Sequence, residues 1–114
     1  MRLVIIESPY AGEIQRNILY ARRCLRDSLL RGEAPLASHL LYTQPHVLDD
    51  NTPFERRMGI EAGLAWGCLA EATIVYEDYG KSPGMLEGIA RAKFEGRPVE
   101  YRSIGENVVT AWPA

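Results

Sequence analysis

A chain of 114 residues with 46% hydrophobic and 25% charged side chains is one domain by size, with too much apolar content to remain disordered. Thirteen Lys plus Arg against fifteen Asp plus Glu give a net charge of −2, which excludes the strong positive field of a general binder of nucleic-acid polymers. The opening apolar run, Leu3 to Ile6, stops at Glu7 and is too short for a signal-peptide core or a membrane span, so a cytoplasmic protein with no membrane contact is expected.

Leu3 to Ile6 is continuous, rich in β-branched residues and closed by Ser8-Pro9, which predicts a central parallel strand covered on both faces. From Glu13 to Leu30, Ile14, Ile18, Ala21, Leu25 and Leu29 recur at helical steps, predicting an amphipathic helix that ends at Gly32. Ala34 to Ala37 is short and carries a proline, so as a strand it belongs at or near an edge. A loop is expected through Pro45 and Asp49-Asp50. Thr52-Pro53-Phe54-Glu55 then reads as a capping box with proline at the first helical position. Phe54, Met58, Ala62, Ala65 and Leu69 form the expected buried stripe of this second helix.

Thr73 to Tyr76 is a second buried strand, ending in the polar turn Glu77 to Lys81. Ser82-Pro83 starts a third helix that reaches Glu95-Gly96, and Arg97 to Arg102 reads as a last, less buried strand. The segment from Ser103 onward carries no clear signal. Cys24 and Cys68 fall in helical stretches without CxxC or Cys/His spacing, so both are expected as buried, reduced thiols, with no metal bound. Strands alternating with helices predict an α/β domain with a small, mostly parallel sheet between helical layers, and such sheets take ligands beyond the carboxyl ends of their strands.

Two loops stand there. Ser8-Pro9-Tyr10-Ala11-Gly12 joins the first strand to the first helix, where a hydroxyl, an aromatic ring and backbone amides at a helix start suit an anion or a ring; its plainer reading is a strand end and a turn. Asp78 to Met85 is the second. Gly80 and Gly84 allow a ligand close to the backbone, Ser82 can cap the helix or meet a phosphate, and Asp78 can bond sugar hydroxyls or act as a turn residue. Glu87 lies one turn into the third helix. It can attack an electrophilic sugar carbon, or pair in solvent with Arg91 four residues on. His39 and His46 fit no common metal spacing and read as packing residues, whereas Arg56 can pair with a phosphate.

The ordered set Ser8-Pro9-Tyr10-x-Gly12, Ser38-His39-Leu40-Leu41-Tyr42-Thr43-Gln44, Gly59-Ile60-Glu61 and Ser82-x-Gly84-Met85 with Ile89 and Ala92 resembles the nucleoside 2-deoxyribosyltransferase-like superfamily. It is most similar to a short branch found in bacterial and phage sequences, over Leu3 to about Arg102. The resemblance implies a flavodoxin-like three-layer sandwich, a homo-oligomer, a nucleoside or nucleotide as the small-molecule partner, and no cofactor. It implies Glu87 as nucleophile with Asp78 as its catalytic companion, and Ser8, Tyr10, Gly12, His39, Ser82, Gly84 and Met85 around the substrate. In that branch an acidic residue more often stands directly before the isoleucine, where this chain has Gly88.

Three functions follow as expectations: a deoxyribosyltransferase or N-glycosidase-like enzyme, a binding protein that sequesters a nucleotide signal without chemistry, and a ligand-free assembly domain. The last requires the space between the two loops to be filled, by Tyr79 or Met85 for instance.

Overall fold

The computed structural model describes residues 1–105 and builds four strands and four helices in the order β1 (Arg2–Glu7), α1 (Ile14–Leu30), β2 (Glu33–Leu36), α2 (Ser38–Leu41), α3 (Pro53–Gly67), β3 (Ala72–Tyr76), α4 (Pro83–Phe94) and β4 (Val99–Arg102). The strands are all parallel and lie in the order β2-β1-β3-β4, with Ile5 opposite both Leu36 and Thr73, and Val75 opposite Tyr101. This is the flavodoxin-like order, which reverses direction between β1 and β3. The apolar runs of β1 and β3 take the centre because both of their faces are covered, whereas Pro35 in β2 and the half-exposed β4 stand at the edges.

Alternation along the strands divides the interior into two cores. Val4 and Ile6 of β1 with Ala72, Ile74 and Tyr76 of β3 pack against Tyr20 and Cys24 of α1. On the other face Val75 packs against Met85 and Ile89 of α4, with Val99 beside them. Full burial of each large aliphatic side chain contributes about 1.5–3 kcal/mol, and this fixes strand register, because a slip of one residue would exchange the two faces. The buried hydroxyls are matched: Tyr20 donates to Asp78 Oδ1 at 2.5 Å, and Tyr76 donates to Asp27 Oδ2 at 2.6 Å.

Local expectations fail where distant contacts compete. The segment expected as loop contains the helical turn α2. α3 starts at Pro53 as its sequence predicts, but no capping box forms: the Thr52 hydroxyl donates to Asp49 Oδ2, and Glu55 accepts from the Asp49 amide instead. The stripe expected inside is turned outward, with Phe54, Met58, Ala65 and Leu69 exposed and Ala62 half-buried. The inward face carries Gly59, Gly63 and Gly67 beside the buried Leu64. A Cβ at Gly63 would overlap the Ser38 hydroxyl, one at Gly67 would stand 3.1 Å from the Arg97 guanidinium, and one at Gly59 would stand 3.2 Å from Leu48. Close approach to α2 and to the segment before β4 therefore decides the rotation of α3. Cys24 is buried as expected, but Cys68, at the end of α3, is exposed and its thiol lies 3.3 Å from Glu95 Oε2. Among the described residues no helix is long and apolar enough to cross a membrane.

Candidate functional site

Beyond the carboxyl ends of β1 and β3, at the point where strand order reverses, a hollow of about 250 Å³ opens beneath α3. Three causes shape it. β1 ends at Glu7 and sends Ser8, Tyr10 and Ala11 over one wall, the start of α4 supplies Ser82 to Met85 on another, and Gly59, Gly63 and Gly67 leave room along the α3 side, between Glu55, Arg56, Ile60 and Leu64. Its lining is mostly apolar with a few convergent polar groups, the make-up of a small-molecule site.

Six of the nine residues that the resemblance implies meet here, Ser8, Tyr10, His39, Ser82, Gly84 and Met85, and Arg56 joins them. Ser8 Oγ and His39 Nε2 are 2.6 Å apart, and burial lowers the imidazole to about 4, so the ring is neutral at physiological pH. Ser82 caps α4 by accepting from the Met85 amide at 3.3 Å, while the Ser82 amide donates to Met85 Sδ. Asn17 of α1, buried, donates to the Tyr10 carbonyl at 2.8 Å and so fixes the first loop. Tyr79 leaves the hollow open: its ring meets Tyr20 edge-on and lies under the Arg16 guanidinium.

Three of the expected residues stand outside the lining. Gly12 has φ +95° and serves the turn into α1. Asp78 turns the other way, where its carboxylate accepts from the Tyr20 and Ser103 hydroxyls and from the Ile104 and Gly105 amides. Burial would raise its pKa, but these donors outweigh that effect and hold it below the usual carboxylate range. Glu87 is on the solvent side of α4, with Oε2 2.7 Å from Arg57 of α3.

A carboxyl group that does enter the hollow from the strand ends is Glu7, two positions after Ile5 and therefore on the same face of β1. No hydrogen bond reaches its side chain among the described residues. Desolvation pushes it up to about 8, Arg97 opposes the rise and Glu87 adds to it. Arg97 also lines the hollow, held by the Gly67 carbonyl at 2.6 Å, Thr73 Oγ1 and Glu95. Sequence inspection passed over both residues. The usable signal was a charged residue ending a fully buried parallel strand, where the topology aims side chains at a ligand.

Arg56, paired with Asp50 at 2.8 Å, and Glu55 complete the charged part of the lining. Among the described residues no group of three or more His, Cys, Asp or Glu could hold a metal ion. The arrangement can surround a small polar ring with neutral donors, the Arg97 guanidinium and the Glu7 carboxyl group, with the Arg56–Asp50 pair and Glu55 also in the lining.

The family model described as Domain of unknown function (DUF7768) matches residues 2–102. No curated protein matches the chain. Among solved structures, a 2-deoxyribosyltransferase from the psychrotolerant bacterium Bacillus psychrosaccharolyticus is similar, with a TM-score of 0.63 and 19% identity over 91% of this chain and 74% of that one. At that identity the likeness shows a shared fold.

Proposed function

The chain belongs to the DUF7768 family, and from that premise we propose that it binds a nucleoside or nucleoside monophosphate in the hollow and acts on the bond between base and sugar with the help of a carboxyl group. The observation that carries this reading is the hollow itself: the loops after β1 and β3 face one another across it at the strand-order switch point, with Glu7 inside. Tyr10 offers a ring or hydroxyl to the base, the neutral Ser8 and His39 pair offers hydrogen bonds to sugar hydroxyls, and Arg56 suits a phosphate. The likeness in fold to a 2-deoxyribosyltransferase supports the same substrate class.

The test is a thermal-shift panel of nucleosides and their monophosphates, followed by chromatography for free base. A ligand at one hundred times its Kd adds about 2.7 kcal/mol to stability, which the melting temperature will register. No shift with any member of the panel at millimolar concentration would end the proposal.

A second reading, binding without chemistry, is favoured by the Arg57–Glu87 ion pair, which holds the nucleophile expected from the sequence away from the hollow. Stabilisation without base release would select it. In either case we propose a homo-oligomer packed through the apolar outer face of α3 and the turn after it, because Phe54 and Met58 of the helix and Leu69 just beyond its end are uncovered in the single chain.

A further inference from the structure

Resting on the nucleoside reading above, we propose that Glu7 is the acid that delivers a proton to the departing base, and that Gly88 is glycine because its missing side chain is the slot holding the Glu7 carboxyl group.

The geometry comes from two elements far apart in the chain. β1 aims Glu7 toward α4, and at the contact α4 presents Gly88, which is buried mid-helix. A Cβ built at Gly88 would overlap Glu7 Oε2 and stand 2.9 Å from Oε1. Gly84, one turn earlier on the same helix, has open space where its Cβ would be. The requirement at position 88 is therefore specific to the carboxyl group and not to helix packing in general. A glycine in a helix interior weakens the helix, so a compensating role at that position is expected, and here it is room for an acid.

The surroundings suit a proton donor better than a nucleophile. No side chain or amide hydrogen-bonds the carboxyl group among the described residues, and its desolvated setting keeps it protonated near neutral pH. The charged and titratable groups around it are Arg97 from the segment before β4, Glu87 from α4, His39 from α2, Arg56 and Glu55 from α3, and Asp50 from the preceding loop. Arg97 favours the ionised form and Glu87 opposes it, while His39 is neutral.

In the step proposed, the Glu7 O–H proton passes to a ring nitrogen of the base as the C1′–N bond breaks and its electron pair leaves with the base. A water molecule adds its oxygen to C1′ and returns one proton to the Glu7 carboxylate. The sum is nucleoside plus water giving free base plus sugar, with Glu7 restored.

The experiment compares wild type, Glu7→Gln, Glu7→Ala, Glu87→Gln, Gly88→Ala and the exchange Glu7→Ala with Gly88→Glu. It measures base release by chromatography from pH 5 to 10 and nucleoside affinity by calorimetry. Glutamine keeps the shape of Glu7, and a melting curve confirms that each variant is folded. Glu7→Gln is expected to lose about 100-fold or more in kcat, the range for a general acid, with nucleoside affinity within about threefold of wild type. Wild type should lose turnover above about pH 8, and Glu87→Gln should keep a descending limb. Gly88→Ala should lower kcat by crowding the carboxyl group, and the exchange should exceed Glu7→Ala alone, because the new side chain grows into the same slot.

If Glu7→Gln keeps turnover within threefold of wild type, Glu7 is not the acid, although the nucleoside reading stands. If wild type binds a nucleoside and releases no base, the acid role is overturned and the binding reading survives. If it neither binds nor cleaves, both fall.

Discussion

Replacing Glu7 with glutamine should change the shape of the stability curve against pH, and the size of the change follows from its site. The unfolded carboxyl group titrates near 4.5 and the folded one at about 8, so between these values the native state holds a proton that the unfolded chain has released. Stability from this group is full below 4.5 and falls by about 1.4 kcal/mol per pH unit until the folded group ionises. His39 acts in the opposite direction. Its folded value of about 4 lies below the 6.5 of the unfolded ring, so its contribution is present above 6.5 and is lost as pH falls toward 4.

The two effects offset one another from pH 4.5 to 6.5, and only that of Glu7 remains above. Wild type should therefore be level across the first range and lose on the order of 2 kcal/mol between pH 6.5 and 8. Glu7→Gln should instead gain about 3 kcal/mol between pH 4.5 and 6.5 and then stay level. Glu33, held down to about 2 chiefly by Arg102, is ionised throughout this window and does not affect the difference. Urea unfolding followed by circular dichroism at half-unit pH steps measures both curves. If the wild-type and variant curves run parallel within 0.5 kcal/mol, a precision typical of such fits, the desolvation argument is wrong.

Asp78→Ala should cost about 2–3 kcal/mol, because it strands the Tyr20 hydroxyl and the donors of residues 103 to 105 that now converge on one carboxylate. Urea unfolding checks this, and a tenfold loss of nucleoside affinity at unchanged stability would show instead that Asp78 serves the ligand. Phe54→Ser with Leu69→Ser should reduce the mass measured by light scattering to that of one chain. A wild-type protein that is already monomeric at 100 µM, a concentration at which a contact worth about 8 kcal/mol would be populated, would remove the oligomer proposal.

The sequence by itself determined the strand and helix succession apart from the helical turn α2, because each signal is local. β-branched runs mark Leu3 to Ile6 and Thr73 to Tyr76, spaced apolar residues mark α1, and Thr52-Pro53 and Ser82-Pro83 mark the starts of α3 and α4. It also pointed to both loops of the hollow, since an α/β succession places ligands at the carboxyl ends of its strands. Tertiary structure alone decided which face of α3 is inside. Helical spacing identifies an apolar stripe but not its partner, and here the close approach of Ser38 and Arg97 outweighs burial of Phe54 and Leu69. It alone decided the carboxyl group as well. Glu87 carries the expected residue type in the first turns of α4, as expected, yet a helix turns each successive side chain by about 100°, and that rotation hands Glu87 to Arg57. Glu7 takes the interior position because Gly88, near the other end of the chain, leaves it room. That is a relation between two distant positions, and neither position carries a trace of it until the chain is folded.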